Sequence, residues 1–219
     1  MEKLIAGARL CCLMLFGVLL ASPVCAASSS IISVAALGVQ GEGLPGVVNY
    51  ILVQLDHVAA QNGPTVQFSE INLGGGSRVG DEWKEGVRRA VQAATRSVGD
   101  PGQDWLITIK NRSLTSVTDG MSASAAVAVA IMAAYHGTTI GSSVVLSGQV
   151  SPDGRIDVVG GLPVKIEAAA SAHYNTVVVP RDQTLLPDWT LAAEVAHRRR
   201  IQLIQVGTLE EAYQAMTTR

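Results

Sequence analysis

Two residues, Ser122 and Lys165, have the types and setting to do chemistry together. Ser122 stands in Asp119-Gly120-Met121-Ser122-Ala123-Ser124, which opens an unbroken run of small and apolar residues, and Lys165 is a lone lysine in a second such run. A hydroxyl is a poor nucleophile until a base within hydrogen-bond reach takes its proton. The histidines His57, His136, His173 and His197 lie in no recognisable nucleophile motif, and Gly-x-Ser-x-Gly is absent. His136 and His173 each follow a predicted helix and read as carboxy-terminal caps. Glu194-Val195-Ala196-His197 lacks the second histidine of a zinc-protease helix, so neither a metal nor a cofactor is expected.

Lysine can replace histidine as a base, but with an ordinary pKa near 10.4 only about one molecule in a thousand is neutral near pH 7.4. The local sequence supplies two reasons for a lower value. On a helix starting near Leu162, the same-face neighbours of Lys165 are Leu162, Ala168, Ala169 and Ala172, so burial of that face would desolvate the ammonium. Its first-turn position also sets it against the positive end of the helix dipole. Around Ser122, Asp119 is expected to cap the helix that begins there and Gly120 to let the backbone turn sharply. The free N–H groups about Met121 and Ser122 could then meet an oxyanion. Taken singly, each residue also fits an ordinary structural role, a serine starting a helix and a lysine snorkelling to water.

The elements that must position this pair follow from the hydrophobic periodicity. Strands are predicted over Ile31–Val39, Val47–Val58 and Val66–Leu73, together an antiparallel sheet, and an amphipathic helix over Val79–Val98. Gly74-Gly75-Gly76-Ser77 fails the phosphate-loop fingerprint, since Val79 stands where the last glycine belongs, and reads as a turn. A short strand over Trp105–Ile109 and a polar loop, Arg112–Thr118, lead to the serine motif. Asn111-Arg112-Ser113 matches a glycosylation sequon. Met121–Tyr135 is small or apolar all round, which predicts a buried helix. Ser143–Val150 and Arg155–Val159 read as a strand hairpin, followed by a helix over Leu162–Ala172 and a buried strand, Thr176–Val179, stopped by Pro180. Helices over Leu191–Arg199 and Leu209–Met216 flank a last strand, Ile201–Val206.

The first 26 residues read as a signal peptide. Lys3 and Arg9 give a positive start, Leu10–Ala21 an apolar run too short to span a bilayer, and Val24-Cys25-Ala26 a small-residue cleavage site. The expected localisation is therefore exported, periplasmic or secreted, with membrane attachment only through an uncleaved leader. The remaining 27–219 is expected to form one domain, with an amino-terminal sheet and helix over 27–118 and a catalytic part over 119–219. All three cysteines, Cys11, Cys12 and Cys25, lie in the leader, which excludes a thiol nucleophile or thiolate metal site from the mature chain. Its 14 basic against 17 acidic residues give a charge of about −3 and no electrostatic basis for nucleic-acid binding.

Asp119-Gly120-Met121-Ser122-Ala123-Ser124 resembles the Asp-Gly-Pro-Ser-Ala-Gly nucleophile motif of the Lon protease family. Gly160-Gly161-Leu162-Pro163-Val164-Lys165 resembles its Gly-Gly-Leu-Lys-Glu-Lys motif, whose second lysine falls on Lys165. Leu146-Ser147-Gly148-Gln149-Val150 is similar to the family's Met-Thr-Gly-Glu-Ile strand, with Ser147 in place of a threonine that helps orient the lysine. Thr176–Pro180 resembles the strand ending in proline. Met121 and Ser124 depart from proline and glycine, and Pro163-Val164 from a Lys-Glu pair, which leaves the lysine in more apolar surroundings. The resemblance implies an α+β fold of mixed sheets packed with helices and a serine endopeptidase with a Ser122-Lys165 dyad. With no Walker motif in the sequence, ATP independence is expected. The substrates implied are peptides or unfolded proteins, and a homo-oligomeric ring is open to it. A catalytically inactive relative serving as a peptide-binding or assembly module is the alternative.

Overall fold

The computed structural model describes residues 29–41, 43–58, 62–70, 78–113 and 117–218. The predicted leader and the turn over Gly74–Ser77 lie outside them. Strand β1 (Ser29–Val39) pairs antiparallel with β2 (Gly46–His57) over its whole length, Ser29 opposite Asp56 and Val39 opposite Gly46. Alternation along both strands sends Val34, Ala36, Ile51, Val53 and Leu55 to one face, while Ala35 and Leu37 point to the other.

The third strand departs from the expected antiparallel arrangement. β3 (Thr65–Phe68) runs parallel to β5 (Trp105–Arg112), and β5 itself pairs antiparallel with β2. The cause is the intervening helix α1 (Asp81–Val98), since a crossover helix returns the chain in its original direction. Before that helix the two-residue β4 (Arg78–Val79) pairs with β6 (Val117–Thr118), tying the start of α1 to the entry of the serine motif. Asn111 lies buried inside β5, which excludes the sequon as a glycan site.

In the second half, α2 (Ser124–His136) is buried along nearly its whole length, as its small, apolar composition requires. It closes on Gly137 rather than His136, with φ 65°, whereas His173 does adopt the left-handed conformation beyond its helix. A short pair joins β7 (Thr139–Ile140) to the terminal β13 (Thr217–Thr218). The strand expected over Ser143–Val150 is two strands, β8 (Val144–Leu146) and β9 (Gln149–Val150), with β9 turning out of the main sheet to pair with β10 (Ile156–Asp157). Helix α3 (Leu162–Ser171) then leads to β11 (Thr176–Pro180), a 3-10 turn (Arg181–Leu185), α4 (Trp189–Arg199), β12 (Gln202–Val206) and α5 (Leu209–Met216).

Among the described residues the main sheet has seven strands in the order β12-β11-β8-β1-β2-β5-β3, with both parallel and antiparallel pairs. Helices α1, α2 and α5 pack on one face, around a core that includes Trp105, Ile131 and Leu146. Helices α3 and α4 cover the other face, around Leu37, Val145, Leu162 and Ile166. The fold is thus α+β, a mixed sheet between helical layers. The parallel pairing of β1 with β8 puts both parts of the predicted domain into one sheet. That pairing is a single register, Ala36 opposite Leu146, because β8 leaves the sheet immediately afterwards. The edge of Leu37–Val39 facing away from β2 therefore has no partner strand among the described residues.

Candidate active site

A cleft of about 880 Å³ opens where β8 leaves β1. Its walls include Leu37 to Gln40, Asn49, Glu82, Asp119 to Ala123, and Val158 to Gly161, and Ser122 and Lys165 both line it. Of the expected site residues, Asp119, Gly120, Met121, Ser122 and Lys165 are therefore brought together, while Ser147 is buried nearby in sequence to the cleft-lining Gln149 without lining the cleft itself.

The serine motif forms a turn before α2 rather than the first turn of that helix. Gly120 has φ 88°, a conformation that glycine adopts without steric cost, and the helix begins at Ser124, where the Ser124 N–H donates to the Met121 carbonyl at 2.9 Å. Two further bonds fix the turn against the strand break: Gly148 N–H donates to the Ser122 carbonyl at 3.0 Å, and Ala125 N–H to the Gly148 carbonyl at 3.2 Å. The buried Ser124 hydroxyl accepts from Val150 N–H at 2.9 Å. No side chain would fit at Gly148, because a Cβ there would lie 2.8 Å from Ile156 Cγ2. This explains the glycine. The N–H groups of Met121, Ser122 and Ala123 enter no hydrogen bond among the described residues, so they are free to receive an anionic oxygen.

Asp119 does not cap α2, whose start has no side-chain cap. Its Oδ1 instead accepts from Trp83 N–H at 3.0 Å and from Gly120 N–H at 2.9 Å. Trp83 is in the first turn of α1, so Asp119 satisfies one of that helix's unpaired donors and sets a negative charge at its positive end. The partner is 36 positions away, which is why local sequence pointed to the wrong helix.

Lys165 occupies the first turn of α3 and is 2 % exposed. Burial, the larger effect, lowers its pKa from 10.5 to about 8, while the Asp188 carboxylate pulls the other way. The side chain forms no ion pair among the described residues, and no hydrogen bond joins it to the Ser122 hydroxyl. Ser147 Oγ is fully buried with no hydrogen-bond partner among the described residues, so the expected orienting contact to the lysine is not formed. The wall leading to α3 is held by Gln183, which sequence reasoning passed over. Its buried side chain accepts from Val159 N–H at 3.0 Å and donates to the Val159 carbonyl at 2.8 Å, completing the backbone bonding of a segment outside any strand. A glutamine in a polar turn gives no local sign of this role.

The arrangement offers a nucleophile, a base partly neutral near neutral pH, and uncommitted N–H donors around one cleft, which suits acyl transfer. Comparison with known proteins agrees. Residues 102–216 match the family model of the Lon protease (S16) C-terminal proteolytic domain. The archaeal Lon protease of Thermoplasma volcanium is 30% identical over 166 residues, 76% of this chain and 25% of that protein. That of Archaeoglobus fulgidus is 37% identical over 93 residues, 42% of this chain and 14% of the relative. The Thermoplasma acidophilum protein is 28% identical over 154 residues, 70% and 23% respectively. The chain thus matches a quarter or less of the length of each of these relatives.

Proposed function

Because this chain belongs to the Lon protease family and carries its serine-peptidase proteolytic domain, we propose that it is an exported, ATP-independent serine endopeptidase acting through Ser122 and Lys165. One observation carries the reading: a serine in a glycine-led turn and a buried lysine whose pKa is lowered to about 8 line the same cleft. Neutral Lys165 takes the Ser122 proton, and Ser122 Oγ attacks the scissile carbonyl. The N–H groups about Met121 and Ser122 receive the oxyanion. The protonated lysine then gives its proton to the leaving amine, and Lys165, neutral again, activates the water that releases the acyl group.

The free edge of Leu37–Val39 along the cleft favours an extended polypeptide, which can add to β1 as a strand. The substrates are therefore peptides or already unfolded proteins. Export is proposed from the leader pattern of the first 26 residues, and ATP independence belongs to the same proposal. Assembly into a homo-oligomeric ring is part of the same proposal by family likeness.

A fluorophosphonate probe tests the chemistry. Wild type should label and the Ser122→Ala variant should not, and an unlabelled wild type at every pH up to about 9 would overturn the proposal. The second reading, an inactive domain that binds peptides or serves assembly, is favoured by the absent hydrogen bond between Ser122 and Lys165. Such bonds commonly form only when substrate is bound, so the probe decides between the two.

A further inference from the structure

Asn49 has no place in the chemistry above, yet it lines the same cleft. It is 5 % exposed, on β2, and its Oδ1 is buried with no hydrogen-bond partner among the described residues. A buried amide left unsatisfied is costly, of the order of a core substitution, so an orphaned acceptor in the wall of a cleft calls for a partner. The next strand makes room for this one. Ala36 lies opposite Asn49 and Gly38 opposite Val47, so Gly38 is the diagonal neighbour on the same face. A Cβ at Gly38 would stand 3.0 Å from Asn49 Nδ2, tighter than ordinary packing. The missing side chain at Gly38, itself part of the cleft wall, leaves space beside Nδ2 of that amide.

From this geometry we infer that Asn49 is a substrate-binding residue that hydrogen-bonds the main chain of the polypeptide in the cleft. A carboxamide carries one acceptor and two donors, the complement of a peptide group, and it carries no charge to select among side chains. It therefore suits recognition of any extended backbone brought past Ser122, whatever its sequence. The inference rests on the peptidase reading for the identity of the ligand as a polypeptide.

The test compares Asn49→Leu, nearly isosteric but without hydrogen-bonding atoms, in two backgrounds. In the active protein, kcat/KM for an internally quenched peptide of about ten residues should fall at least tenfold. Second-order labelling by the small fluorophosphonate, which does not fill the cleft, should stay within about twofold, and the melting temperature should not drop. In the Ser122→Ala background, the dissociation constant for the same peptide, read by fluorescence anisotropy, should rise at least tenfold. Unchanged kcat/KM and affinity would overturn the inference, as would a parallel loss of labelling and turnover, which would mean that Asn49 supports the nucleophile turn instead. If wild type neither labels nor cleaves while the Asn49-dependent binding persists, the catalytic reading fails and the assignment of Asn49 stands. Failure of every variant to bind peptide, with no turnover, removes both.

Discussion

Lys165 holds a buried position that suits a base and strains the fold. Moving its pKa from 10.5 to about 8 corresponds to about 3 kcal/mol, the amount by which burial disfavours the charged form. Below about pH 8 the lysine is protonated in both folded and unfolded chains, and this cost is present in full. Between about 8 and 10.5 the unfolded chain alone holds the proton, so stability rises with pH and the cost is relieved. Lys165→Met should accordingly raise stability at pH 7 by up to about 3 kcal/mol, with the difference from wild type vanishing towards pH 10.5. Denaturant melts at several pH values measure this, and a variant less stable than wild type at pH 7 would contradict it. In the same variant turnover should be lost. In wild type kcat/KM should climb with pH through about 8 as the neutral base accumulates. The site residues that sequence could indicate were those with a local signature: a serine behind Asp-Gly, and a lysine in an apolar first turn. Asn49, Gln183 and Asp188 carry none, since each acquires its surroundings from segments distant in the chain.

Most elements could be read from periodicity, and the misreadings fall where an element is shaped by a remote one. Periodicity gives α5 over its observed Leu209–Met216, and β1, β2, α1 and α3 within about two residues. The start of α2 was placed three residues early, because composition cannot distinguish a helical residue from a turn held by Gly148. Sequence also joined β8 to β9, since an apolar run does not reveal that Gly148 meets Ile156. Asp119 is the sharpest case, as it links the nucleophile turn to α1 through the Trp83 N–H. Asp119→Ala removes this cap and should cost about 1 kcal/mol, or about 2–4 °C in melting temperature. It should also slow fluorophosphonate labelling of Ser122 by tenfold or more, because Gly120 loses its hydrogen bond as well. Asp119→Asn keeps an acceptor at Oδ1 and should retain most of both. Equal labelling rates for the alanine variant and wild type would show that the turn holds without the aspartate.

The cleft lies where the pairing of β8 with β1 stops. β1 is paired along its full length with β2, while β8 meets it at one register and then departs, so the end of β1 stands between the serine turn and the loop into α3 with an edge unfilled among the described residues. Such an edge accepts a chain only in extended form, and a compact substrate has no backbone to offer it. Cleavage of a protein substrate should then follow the fraction of that substrate that is open. For a small two-state reporter and a variant of it destabilised by about 2.8 kcal/mol, the open population differs about a hundredfold. When opening and closing are fast relative to cleavage, the initial rates should differ by the same factor. Both rates should be indifferent to added ATP and magnesium, because the substrate's own fluctuations perform the unfolding. Gel-resolved time courses with and without nucleotide measure this directly. Equal rates for the two reporters would mean that the cleft attacks folded surfaces, and acceleration by ATP would require a nucleotide-driven partner that feeds this edge.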